Sequence, residues 1–219
     1  MVLKMKILFT YRTPKGLEED FYSEEMKIEK ALLLAEDIER TGRAKEITLI
    51  DHKGSHWSLK EGKKLIEKVK TEPHHITVYF DGGFDLGSKE SGLGCAIYYE
   101  QNNKSFRIRK NTLVDELESN NEAEYAAFYL ALQEIELLGA HHLPVTFIGD
   151  SKVVIYQLNG EWPCYEPELL KWVERIEEKL ENLGIDPDYK LVSRTKNKEA
   201  DHLATQALNR IEITSNTEL

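Results

Sequence analysis

The stretch Ile76-Thr-Val-Tyr-Phe-Asp-Gly-Gly83 decides how the rest of the chain reads. Ile76, Val78 and Phe80 alternate with Thr77 and Tyr79, the period-two pattern of a strand with one face in a core. Asp81 falls at the carboxyl end of that strand, and Gly82 and Gly83 let the backbone turn sharply beside it. An Asp-Gly pair after a strand is by itself an ordinary turn. Here three further acids, Glu124, Asp150 and Asp201, each fall at the end of a predicted element. The chain therefore reads as a frame that brings four carboxylates together.

Working outward, Gly92–Gln101 and Lys104–Lys110 read as strands joined by a polar Asn102-Asn103 turn, a meander with the central strand. Ser119-Asn-Asn-Glu-Ala-Glu-Tyr125 opens a helix running to about Leu138, with Ser119 or Asn120 as N-cap and Gly139 as its stop. Glu124 lies in line with Ala127, Phe128, Ala131 and Ile135, a stripe that should pack on the sheet. An acid on such a stripe needs a partner, because burying it unpaired is costly. Val145-Thr-Phe-Ile-Gly-Asp150 is a second strand ending in an acid, and Ser151 begins the next helix. Parallel strands place their carboxyl ends on one edge of a sheet, so Asp81 and Asp150 should be neighbours. Glu166–Asn182 is an amphipathic helix and Tyr189–Ser193 a last strand. Asn197-Lys-Glu-Ala-Asp201 leads into a helix with the stripe Ala200, Leu203, Ala204, Ala207 and Leu208. The polar tail beyond Ile213 is expected to fray.

Residues 1–72 read as a small α+β accessory domain, and 73–213 as the domain that holds the acids. The first contains a strand at Lys6–Tyr11, a Pro14-Lys-Gly16 turn and a short strand near Phe21. A helix capped by Ser23 and running to Thr41 follows, then a strand at Glu46–Ile50 and a helix at Ser58–Val69. His52, Lys53, His56, Trp57, Lys60, Lys63 and Lys64 interleave bases with an aromatic. Such a surface suits stacking and phosphate contact, or is a solvated face with Trp57 packed underneath. The pairs His74-His75 and His141-His142 lack cysteine partners and helical i,i+4 spacing, and read as surface histidines.

Composition sets the outer bounds. With 41% hydrophobic and 31% charged residues in 219, the chain can build a proper core. Two cysteines, Cys95 and Cys164, make neither a disulfide framework nor a metal spacing. Met1–Phe9 holds no long apolar run and no later stretch could span a bilayer, so a cytoplasmic protein without membrane contact is expected. The net charge is −10, and it is uneven: residues 1–72 carry 15 Lys/Arg against 14 Asp/Glu, residues 73–219 carry 14 against 25. An acidic domain lacks long-range attraction to phosphate, unless bound divalent cations reverse the field at clustered acids. Four carboxylates pressed together call for a cation or raised pKa values, and oxygen-only ligation suits Mg²⁺ or Mn²⁺ rather than zinc. Two such ions about 4 Å apart serve phosphoryl transfer.

Phe80-Asp-Gly-Gly83, Asn120-Asn-Glu-Ala-Glu-Tyr125, Gly149-Asp-Ser151 and Asn197-Lys-Glu-Ala-Asp201 resemble, in order and context, the type 1 ribonuclease H family. The resemblance is to its bacterial and archaeal "reverse transcriptase-like" branch, which Gln157-Leu-Asn-Gly-Glu-Trp162 also matches, and covers about residues 75–210. It implies an α/β fold, a ribonuclease H-like five-stranded mixed sheet with flanking helices. It also implies metal-dependent endonucleolytic hydrolysis of the RNA strand of RNA–DNA hybrids, leaving 3′-hydroxyl and 5′-phosphate ends. By motif, Asp81, Glu124, Asp150 and Asp201 match the catalytic and metal-binding tetrad for two Mg²⁺ or Mn²⁺ ions. Asn120, Asn121 and Gln157 match contacts to the hybrid's minor groove, where the 2′-OH marks RNA. Gly82, Ser151, Arg194 and Asn197 fall in or beside the same motifs as further nucleic-acid-binding positions.

The chain departs from that pattern in three places. The loop after the first acid, Phe84-Asp-Leu-Gly-Ser-Lys-Glu-Ser91, carries added negative charge. The histidine that many members carry before the last motif is absent, with Arg194 nearby. The basic handle is missing between Gln157 and the helix at Glu166. These departures leave a catalytically weak ribonuclease H-like binding or scaffold protein as the alternative. Residues 1–72 do not resemble the family's hybrid-binding domain, and by elimination supply hybrid affinity or a homodimer interface.

Overall fold

Alternating apolar residues build two separate cores. Residues 4–219 are described by the computed structural model, which divides into a unit up to Thr71 and a unit from Glu72 onward. In the first, strands β1 (Lys4–Arg12), β2 (Glu18–Tyr22) and β3 (Met26–Lys27) precede helix α1 (Ile28–Arg40). Strands β4 (Ala44–Asp51) and β5 (His56–Trp57) and helix α2 (Leu59–Thr71) follow. The sheet runs β2-β1-β4-β5, antiparallel throughout, with β3 also on β1. Met5, Ile7 and Leu49 of the sheet close on Ile28, Ala31, Leu32 and Ala35 of α1.

Two readings change here. Ser23 does not cap α1; its Oγ accepts from the Ile7 N–H at 2.8 Å, and Met26-Lys27 pairs with β1 before the helix starts. Strand pairing takes the backbone groups that a helix would need. Trp57 is packed against the core with its indole N–H donating to Asp51 Oδ2 at 3.0 Å, so of the two readings of the basic patch the packed one holds. Lys63 is paired with Glu36 at 2.5 Å.

The second unit begins with strands β6 (His74–Phe84), β7 (Ser91–Gln101) and β8 (Lys104–Val114). Helix α3 (Asn120–Leu137), strand β9 (Pro144–Gly149), and helices α4 (Lys152–Leu158) and α5 (Pro167–Leu183) follow. Strand β10 (Asp186–Leu191), helix α6 (Lys198–Leu208) and strand β11 (Thr214–Glu218) complete it. The strand order is β10-β9-β6-β7-β8-β11. Both pairs involving β9 are parallel and the rest antiparallel, a mixed α/β sheet as expected. The parallel β6–β9 pair puts the ends of both strands on one edge, beside the first turn of α3.

The sheet has a sixth strand where five were expected, because the tail does not fray. Thr214–Glu218 pairs with Lys110–Phe106, and buried Asn111 ties down the approach to it. Its Nδ2 donates to the carbonyls of Leu203 and Ile211, both at 2.9 Å, and its Oδ1 accepts from Ile213 N–H at 2.7 Å. Among the described residues no helix is long and apolar enough to cross a membrane.

Glycines let the helices reach the sheet. A Cβ on Gly82 would overlap the backbone of Ala123 and Glu124, so α3 rests directly on β6 there. A Cβ on Gly94, the register partner of Asp81, would overlap the backbone of Ala200 and Ala204 in α6. Gly82 pairs with Leu93, one residue from Gly94, and successive strand residues face opposite sides. Helices α3 and α6 therefore cover opposite faces and meet the same end of β6. Gly82→Ala is expected to lower the stability of this unit by about 1–3 kcal/mol through overpacking, read from denaturant unfolding. An unchanged midpoint would show that α3 can retreat without loss.

Candidate carboxylate site

Asp81 lies within β6 and not at its end as expected, because Gly82, Gly83 and Phe84 carry the pairing with β7 on to Ser91. Glu124 lies in the second turn of α3, and Asp150 follows β9 immediately. Carboxylate oxygens of these three lie within 4.8 Å of one another. Asp81 and Glu124 are only 8% and 7% exposed, while Asp150 is half-buried. Burial is the main reason the Asp81 carboxyl is pushed up to about 8, and the charges of Asp150 and Asp201 add to it. Burial likewise pushes Glu124 up to about 9, with Asp81 and Asp150 adding, against a hydrogen bond from Gly82 N–H at 3.3 Å.

Asp201 stands apart from this trio. Arg194 holds it through Nε at 2.9 Å and through a second guanidinium nitrogen. The hydrogen bonds and charge of Asp201 raise the Arg194 pKa further. The Arg194 side chain is 76% exposed, so solvent can replace this pairing. Asp201 nonetheless lies close enough to act on Asp81 electrostatically.

The expected nucleic-acid contacts divide. Asn120 is exposed and Asn121 half-buried at the start of α3, with Asn120 Oδ1 accepting from Phe84 N–H at 3.3 Å. Ser119, not Asn120, caps the helix, accepting from Glu122 N–H at 3.2 Å. Ser151 caps α4. Gln157 is half-buried and tied to the protein, its Oε1 accepting from Tyr125 OH at 2.5 Å and its Nε2 donating to the Pro163 carbonyl at 3.1 Å.

Two further positions among the expected nucleic-acid contacts, Asn197 and Gly82, are buried. Asn197 is fully buried, and its Nδ2 donates to the Phe80 carbonyl at 2.9 Å and to Asp150 Oδ1 at 3.0 Å. These bonds hold Asp150 from behind. Gly82 is buried under α3 with its N–H on Glu124, so its part is packing and orientation. Asn197 stands one residue before α6 but makes no side-chain cap bond there, so its sequence position gives no signal of this role.

The loop between β6 and β7 is less repulsive than its sequence implies. Asp85 Oδ1 accepts from the N–H groups of Gly87 at 2.7 Å and Ser88 at 3.0 Å, which lowers its pKa. Glu90 is paired with Arg210 at 2.7 Å.

A mixed sheet with acids gathered at the adjoining ends of β6, β9 and α3 defines a ribonuclease H-like protein. The family model described as reverse transcriptase-like matches residues 79–207, and the chain belongs to this type 1 ribonuclease H family. YpeP of Bacillus subtilis (strain 168), an uncharacterized protein, is 44% identical over 200 residues, 91% of this chain and 88% of its own length. That alignment is longer than the second unit and so enters the first. The crystal structure of RNase H1 from the halophilic archaeon Halobacterium salinarum NRC-1 is 26% identical and has a TM-score of 0.53. It covers 62% of this chain and 98% of that one. LC11-RNase H1, solved in complex with an RNA/DNA hybrid, has a TM-score of 0.56 at 24% identity, a likeness of fold, over 62% of this chain and 97% of its own.

In metal-free protein the raised values have a definite sign. The folded state keeps protons on Asp81 and Glu124 until about pH 8 and 9, whereas an unfolded chain releases them near pH 4. The stability these groups contribute is full below about pH 4 and is lost as pH rises toward 9. Asp150→Asn removes a charge facing both and is expected to flatten that decline, measured as unfolding midpoints from pH 5 to 9 with chelator. An unchanged slope would contradict the coupling.

Proposed function

We propose that the protein is a ribonuclease H that hydrolyses the RNA strand of RNA–DNA hybrids with the help of divalent cations. The observation that supports this most is the convergence of Asp81, Glu124 and Asp150, two of them buried and destabilised as charges without a cation. An all-oxygen donor set of this kind fits Mg²⁺ or Mn²⁺. When bound, such ions supply activation of water and stabilisation of the leaving oxygen, and two are proposed.

The chain's own residues would do the rest. Asp81, Glu124 and Asp150 would hold the ions, and Asp201, which acts on Asp81 electrostatically, would join them once released from Arg194. Asn197 fixes one oxygen of Asp150, and the Gly82 N–H fixes one of Glu124. Asn120 and Asn121, on the accessible start of α3, would read the 2′-OH side of the hybrid. Gln157 would reach it only by giving up its bonds to Tyr125 and Pro163.

The pairing of Asp201 with Arg194 favours the alternative, a catalytically weak binding or scaffold protein, because it neutralises the fourth acid. Cleavage of a labelled RNA–DNA hybrid, with single-stranded RNA and duplex DNA alongside, separates the two. Hybrid-only cutting in Mg²⁺ or Mn²⁺ that disappears in Asp150→Asn is expected. No cutting by folded protein in either metal would overturn the enzyme reading.

Asn197→Ala is a finer test. It is expected to lower activity about 10–100-fold by freeing a ligand's orientation, with weaker Mn²⁺ binding in the same variant. Full activity would show that Asp150 needs no such support.

A further inference from the structure

At the other end of β6, the chain does something a regular strand cannot. Successive strand side chains point to opposite faces, so His74 and His75 should diverge. Instead His75 takes a left-handed backbone with φ 52°, uncommon for a residue with a Cβ, and the β6–β7 register slips by one residue between His74 and Thr77. The bulge turns both rings to one side, their centroids 4.9 Å apart, where Glu100 of β7 meets them. His75 Nδ1 is 3.1 Å and His74 Nε2 3.7 Å from the same oxygen, Glu100 Oε2.

We propose that His74, His75 and Glu100 form a second metal site, for Zn²⁺ or a related imidazole-binding transition ion. One ligand atom from each lies within 4.8 Å of the others. Tetrahedral ligands at the usual zinc distances sit about 3.3 Å apart, between the two spacings found. His74 Nδ1 lies 2.9 Å from the Glu72 carbonyl, an interaction that puts the proton on Nδ1 and aims the Nε2 lone pair at the site. Two imidazoles and one carboxylate select this class of ion over Mg²⁺, and three protein ligands leave a fourth position for water. Strained backbone of this kind gathers where a function holds it in place.

The site is separate from the carboxylate trio. His74 and Asp81 are seven residues apart on one strand, roughly 20 Å. A bound ion would clamp the first residue of β6 to the far end of β7, so it acts on stability and takes no part in hydrolysis. The inference does not depend on the proposed activity.

The test uses the full chain without an affinity tag, freed of metal by chelation. Zn²⁺ is titrated against the unfolding midpoint, and Co²⁺ against visible absorption, whose intensity separates a four-coordinate site from a six-coordinate all-oxygen one. Wild type and Asp150→Asn are both expected to saturate, with a midpoint raised by roughly 5 °C at a hundredfold excess over the dissociation constant. His75→Ala and Glu100→Gln are expected to weaken binding at least tenfold. Glu100 is half exposed, so Glu100→Gln should fold even if the bulge variant does not. No saturable binding would overturn the proposal, as would binding that survives Glu100→Gln or is lost in Asp150→Asn.

Discussion

Ionised carboxylates repel, and burial makes the repulsion worse, yet this fold presses three of them together at one end of its central strand. The parallel pairing of β6 with β9 forces the first contact, Asp81 beside Asp150. Glycine at position 82 forces the second, because only without a Cβ can α3 come down on β6 and deliver Glu124. Gly92 and Gly94 bring α6 and Asp201 to the opposite face in the same way. The hydrophobic packing of Phe80, Phe128 and Phe147 behind the site holds the arrangement against its own charge. Without a cation Asp81 and Glu124 keep protons that they would lose in water.

The four elements that carry acids were legible in their periodic apolar patterns, although β6 runs three residues past Asp81 because Gly82 and Gly83 stay paired with β7. Ile76–Phe80 alternates, Glu124 sits on the stripe Ala127, Phe128, Ala131 and Ile135, and all five are buried. What was not legible is what depends on side-chain direction. Nothing in Asn197-Lys-Glu-Ala-Asp201 says that the asparagine turns inward to Asp150 while the aspartate turns to Arg194. Strand β11 was missed for another reason. Thr214–Glu218 has no apolar alternation, and its place is fixed by the free edge of β8 and by Asn111, a partner over a hundred residues away. The start of α1 was misplaced because Met26-Lys27 pairs with β1, a tertiary preference that outweighs Ser23 as a cap.

Departures from the family pattern look different once folded. The acidic loop after Phe84 spends Asp85 on its own backbone N–H groups and Glu90 on Arg210, leaving Lys89 over the Phe84 ring at 5.7 Å. The missing basic handle is a real change: residues 159–166 connect α4 to α5 without another helix. Tyr165 is 86% exposed in that connection, and Trp162 packs on Tyr156.

Calorimetric titration of chelator-treated protein with Mn²⁺ tests the central claim most directly, namely that the trio of buried acids is a cation site. The account predicts saturable binding that strengthens the folded state and is abolished by Asp150→Asn, with Glu100→Gln behaving as wild type. Absence of saturable binding, or equal binding by Asp150→Asn, would mean that the clustered acids are held together by packing alone.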